Sequence, residues 1–188
     1  DVSFAMINGA PTFMTIAGDL ARSHEVTVAP APGWSRSITS LPPVDGRAHT
    51  YRAADFDTLV DSPILVGNPD VHEFQVDGKT HYLATEGADG LFDGARAIRD
   101  LERLVNEHRK VWGSLPFDRY VFFNLLTLPP GQGGGALEHG SSVLMLGDKF
   151  AMRARPAYTN WLELASHEFF HAWNVKRLRP AELGPFDY

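Results

Sequence analysis

The chain has 188 residues, 17 basic and 23 acidic, for a formal charge of −6; 44% are apolar and 21% charged. That composition suits a globular domain and excludes a wholly disordered or collagen-like chain; the acidic balance runs against a nucleic-acid binder with a basic face, and no apolar run approaches the roughly 18 residues of a membrane span. With no cysteine, disulfides, thiolate metal sites and a cysteine nucleophile are excluded, while the compartment, cytoplasmic or exported, stays open.

The ends, Asp1-Val2-Ser3-Phe4 and Gly184 to Tyr188, carry neither leader nor tail composition, as expected of a fragment. Residues 1–50 read as β structure. Phe4 to Ile7 runs into a turn at Asn8-Gly9, from which Thr12 to Ile16 is expected to return. His24 to Val28 alternates polar and apolar, as a half-buried strand does. Pro42-Pro43 and Asp45-Gly46 then punctuate the chain, and the reading divides it into 1–50, the end of a β domain, and 51–188.

Ile64 to Gly67 is a short apolar run. Val71 to Val76 and Lys79 to Ala84 flank Asp77-Gly78, the strongest hairpin signal in the chain. His72 and His81 are expected to face each other across it. Residues 92–112 follow a helical period, with Phe92, Ala95, Ile98, Leu101, Leu104, Val105 and Val111 on one face and Gly113 at the cap position. His108 is placed at the surface. Arg119 to Leu128 lacks alternation around Val121-Phe122-Phe123, as in a strand buried on both faces. A glycine-rich loop, Pro129 to Gly135, leads to a strand over Ala136 to Leu146.

A last helix is expected from Asn160, capped by Asn160 and Glu163 and stopped by Pro180. Lys176, Arg177 and Arg179 would match charge to its dipole. The helix is apolar nearly all round, which points to burial between two layers.

It carries His167-Glu168-Phe169-Phe170-His171. Positions four apart lie about 40° apart around a helix, so both imidazoles can meet one ion. Glu168 flanks them, where a general base takes a proton from a water at the metal. Imidazole ligands and an open position favour zinc; magnesium or calcium would want more carboxylates. A third protein ligand is required. Glu182, Asp187, His139 and His81 are weak candidates, and the preferred source lies beyond Tyr188.

The run from His167 to Pro180, with Ala172-Trp173-Asn174-Val175-Lys176-Arg177 after the histidines, resembles the signature of the glycyl aminopeptidase family of zinc metallopeptidases. Leu59 to Ile64, Leu115 to Tyr120 and Gly134 to His139 are similar to other family segments. The resemblance implies an α+β architecture: the end of an N-terminal β domain, then the sheet-and-helix half of a thermolysin-like catalytic domain. It implies Zn2+ on His167 and His171, Glu168 as base and proton shuttle, and a later glutamate as third ligand. Gly135-Ala136-Leu137-Glu138-His139 resembles a Gly-x-Met-Glu-Asn motif whose glutamate binds the substrate's α-ammonium group. Leu137 and His139 depart from that pattern but leave the charge in place.

The expected substrate is a peptide with a free N-terminus, small residues such as Gly or Ala being what the resemblance suggests. No nucleic-acid or membrane partner is expected, and the chain by itself is expected to be inactive and either to self-associate or to leave its metal site incompletely occupied. A zinc endopeptidase and an inactive, peptidase-derived binding module are the alternatives.

Overall fold

A computed structural model describes residues 3–183. The chain divides into two compact units, Asp1–Asn68 with Arg179–Tyr188, and Pro69–Leu178.

The first unit holds β1 (Ala5–Ile7), β2 (His24–Thr27), β3 (Arg36–Ile38), β4 (Thr50–Ala53), the short helix α1 (Phe56–Val60) and β5 (Ile64–Gly67). β5 is the centre of an antiparallel sheet ordered β1-β5-β3, and β2 pairs with β4. Leu41, Tyr51, Phe56, Leu59, Ile64 and Val66 form its core. Thr12 to Ile16 does not return as a strand. The Gly9 carbonyl accepts from the N–H groups of Thr12 and Phe13, closing a turn, and β1 finds its partner in β5 instead. The division between units falls after Asn68 rather than after residue 50, because β4 and β5 are tied by their ladders to β2, β1 and β3.

The second unit is built on β6 (Asp70–Val76), β7 (Lys79–Glu86), α2 (Gly94–Trp112), β8 (Arg119–Leu128), β9 (Gly135–Glu138), β10 (Ser142–Asp148) and α3 (Arg155–Phe170). The strands form one mixed sheet ordered β6-β7-β8-β10-β9. Its three inner strands run parallel, and β6 and β9 are antiparallel edges. The fold class is therefore α+β, with the sheet mixed rather than wholly antiparallel.

Local chemistry explains most of these elements. Asp77 and Gly78 both take positive φ (50° and 72°), the requirement of a tight two-residue hairpin turn. The Asp93 side chain caps α2 by accepting from Arg96 N–H, and Gly113 ends it in the left-handed region at φ 79°. The buried face of α2 runs through Ala97, Leu101 and Val105. Val111, expected on that face, is 77% exposed. β8 is buried from Tyr120 through Leu126, as its unalternating sequence requires. The expected strand 136–146 is two strands, β9 and β10, because the chain reverses at His139-Gly140-Ser141.

Helix α3 begins at Arg155, before the expected Asn160, with Pro156 in its first turn. Proline's fixed φ suits that place and its missing N–H costs nothing there. The helix ends at Phe170, and turns follow it well before Pro180. It is not buried on both sides. Tyr158, Trp161, Ala165, Glu168 and Phe169 face inward, while Thr159, Asn160, Glu163 and His167 are exposed. Leu162 and Leu164 are only half-buried flanks, so the polar residues between them decide which face meets water. Among the described residues, no helix is long and apolar enough to cross a membrane.

Candidate active site

The site grows from how α3 is pinned to the sheet. Trp161 Nε1 donates to Asn124 Oδ1 at 3.0 Å, and Asn124 Nδ2 donates to Thr85 Oγ1 at 3.2 Å. These buried bonds satisfy polar groups on β7, β8 and the helix at once. Tyr158 Oη donates to Asp100 on α2 at 2.8 Å. Burial and the Asp100 carboxylate both raise the Tyr158 phenol far above its ordinary range. His108 Nε2 meets Ser166 Oγ at 2.9 Å, and its ring stacks on Trp173. His108 is thus a half-buried link between helices rather than a surface residue, and burial lowers its pKa. Phe169 inserts among Tyr120, Phe122 and Phe117. With Phe169 directed into the sheet, the helical step sets its neighbour Glu168 to one side and the histidines further around.

His167 and His171 converge as their spacing requires. Their Nε2 atoms are 3.2 Å apart. Two nitrogens about 2.05 Å from one tetrahedral ion would lie about 3.3 Å apart. His171 Nδ1 donates to the Asn174 carbonyl at 2.9 Å. That bond leaves the Nε2 lone pair free, as a ligating imidazole needs. The donor set therefore fits zinc. Among the described residues, no third His, Asp or Glu joins the pair.

Glu168 is 6% exposed. Burial pushes its carboxyl above the usual range; His167 and His171 pull it back, and Glu138 pushes it up. Glu138 and Glu168 thus share one electrostatic neighbourhood. Strand pairing explains it. Glu138 lies opposite Val143, which lies opposite Phe122, and Ala136 lies opposite Met145. Residues paired across strands share a face, and Val143, Phe122 and Met145 line the core beneath α3. Glu138 and Ala136 therefore point to the helix side, whereas Leu137 and Gly135 are exposed on the other.

The glycines preceding β9 divide by role. A Cβ on Gly134 would overlap the Leu146 carbonyl, while one on Gly135 would meet nothing. The Asp148 carboxylate holds the loop start, accepting from Gly131 N–H at 2.9 Å and from Phe150 N–H at 2.7 Å, and these bonds lower its pKa.

The remaining candidates are accounted for. His81 is sealed in the core, stacked on Phe74 at 4.7 Å. Its strand partner is Phe74, and that of His72 is Leu83, so the two histidines do not face each other. His139 is buried in the β9–β10 turn, and Glu182 is exposed in the short turn Ala181–Leu183. Asp187 lies outside the described residues. Sequence reasoning missed the turn after α3. There Arg177 Nη1 donates to the Ala172 carbonyl at 2.6 Å and to the Gly140 carbonyl at 2.9 Å. Its place in a basic cluster hinted at the first of these contacts but not the second.

Comparison with known proteins gives matches at both ends of the chain. Residues 1–68 match the Peptidase M61 N-terminal domain, and residues 160–188 match the M61 glycyl aminopeptidase domain. No curated protein matches. Among solved structures, an aminopeptidase N family protein from Idiomarina loihiensis is similar, with a TM-score of 0.86 and 27% identity. The match covers 98% of this chain and 32% of that one, so the present chain spans about a third of that protein's length.

Proposed function

Because the chain belongs to the M61 glycyl aminopeptidase family, we propose that it carries the first part of a zinc aminopeptidase site. The observation behind this reading is the 3.2 Å approach of His167 and His171 beside the buried Glu168. A zinc ion held there would act as a Lewis acid toward a peptide carbonyl and acidify a water. A further ligand would come from outside these residues.

Glu168 is the base in this reading. It accepts a proton from the attacking water and returns it to the leaving amine. Burial by itself strengthens the hold of the Glu168 carboxylate on a proton. Glu138, on the helix side of the edge strand β9, meets the substrate's α-ammonium group. Gly135 and Ala136 leave room for its backbone. A carboxylate at that position selects free N-termini by charge, which favours an exopeptidase over an endopeptidase. Small first residues such as Gly or Ala are the proposed preference.

The test uses the complete gene product and a glycyl or alanyl peptide offered free and N-acetylated. Cleavage of the free peptide, lost on acetylation and weakened by Glu138→Gln, is the expected result. Equal cleavage of both forms would leave Glu138 without this role.

A further inference from the structure

Resting on the reading of Glu138 as the amine anchor, we propose that Arg177 is a positioning residue that holds Glu138 at a set distance from the two histidines.

Glu138 is the last residue of β9, an edge strand of four residues with β10 as its neighbour. A short edge pairing of this kind is the part of a sheet most ready to open. An anchor for a charged group selects only if it is fixed relative to the reacting bond. Something beyond the β9–β10 ladder has to fix it.

Arg177 supplies that link. A single nitrogen, Nη1, donates both to the Ala172 carbonyl at 2.6 Å and to the Gly140 carbonyl at 2.9 Å. Ala172 follows His171 in the turn just past α3, and Gly140 lies in the turn immediately after Glu138 and His139. The guanidinium therefore ties the histidine-bearing end of the helix to the glutamate-bearing hairpin. Capping a helix C-terminus accounts for the first bond. It does not account for the second, which reaches a different element.

The backbone around Arg177 is itself built to aim it. Arg177 N–H and Leu178 N–H both donate to the Trp173 carbonyl, at 3.0 and 2.7 Å, and Lys176 N–H donates to the His171 carbonyl at 3.2 Å. Val175 is bent to φ 104°, a conformation a β-branched residue adopts only when its surroundings impose it. The same turn presents the Asn174 carbonyl to His171 Nδ1. One segment thus orients a metal-binding imidazole and clamps the opposite wall of the site.

The experiment compares Arg177→Met, Arg177→Gln and Arg177→Lys with Glu138→Gln and the Met/Gln double variant in the complete gene product. Two readouts are taken: the ratio of kcat/KM for free over N-acetylated peptide, and amide exchange across residues 138–143 in the metal-free protein. Arg177→Met is expected to lower the ratio about 10- to 100-fold, chiefly through KM, at unchanged zinc content. Hairpin exchange should accelerate about tenfold or more. Gln, which can reach only one carbonyl, should give a smaller loss in the same direction; Lys should recover part of it. The double variant should be no worse than Glu138→Gln alone. An unchanged ratio with unchanged exchange in the Met variant, or in the Gln variant where Met does not fold, would overturn the proposal. If Glu138→Gln itself leaves the ratio intact, the amine-anchor reading fails, and the exchange data still decide whether Arg177 clamps the hairpin.

Discussion

His171 Nδ1 donates to the backbone carbonyl of Asn174 at 2.9 Å. A carbonyl can only accept, so the proton sits on Nδ1 and the lone pair on Nε2, facing Nε2 of His167. A backbone bond that no side-chain motif specifies thus turns the Nε2 acceptor of His171 toward its partner histidine.

Zinc should accordingly stabilise the protein. At about 100 times its Kd, the ion is expected to raise unfolding free energy by about 2.7 kcal/mol. His167→Ala and His171→Ala should each abolish the shift in a thermal melt. Stabilisation that survives both changes would place zinc elsewhere.

Glu168→Gln keeps the shape of the side chain but removes the proton acceptor. A kcat loss of about 10²- to 10⁴-fold is expected, with zinc stoichiometry unchanged. Loss of the metal along with activity would instead make Glu168 a structural support of the histidines.

His81 makes a pH prediction. Burial among aromatic rings lowers its pKa from 6.5 to about 4, and the Lys79 carbonyl, accepting from Nδ1, only partly opposes this. The folded pKa lies below the unfolded one, so the unfolded chain binds the extra proton first. Stability is full above about pH 6.5 and is lost as pH falls toward 4, by about 3 kcal/mol in total. Nε2 has no hydrogen-bond partner among the described residues, so His81→Phe should remove this acid sensitivity. Denaturant midpoints at pH 7 and pH 4.5 measure it; equal pH slopes in both proteins would contradict the assignment.

Gly134→Ala should weaken the edge strand. Its Cβ would meet the Leu146 carbonyl, and no side-chain rotation relieves an overlap with backbone. A cost of about 1–3 kcal/mol in urea unfolding is expected, at constant m-value. Gly135→Ala, which meets nothing, is the control and should be close to neutral.

Local signals were legible where the physics is local. Asp77-Gly78 declared its hairpin because both residues must accept positive φ, and Gly113 declared the end of α2 for the same reason. The histidine pair was legible because helical geometry alone brings positions four apart onto one side. The start of α3 was not legible at Asn160, because Pro156 offered an earlier entry that the sequence alone did not rank. Its buried face was obscured by Leu162 and Leu164, which only flank the sheet.

What the sequence determined by itself is the chemistry available: imidazole and carboxylate with no thiolate, on a helix whose period aligns two histidines. Tertiary structure alone decided how the rest meets them. Strand register turned Glu138 toward α3 and Leu137 away. A turn after the helix gave His171 its tautomer and Arg177 its reach to Gly140. Register and side-chain reach depend on contacts between residues far apart in the chain, and no short spacing records such contacts.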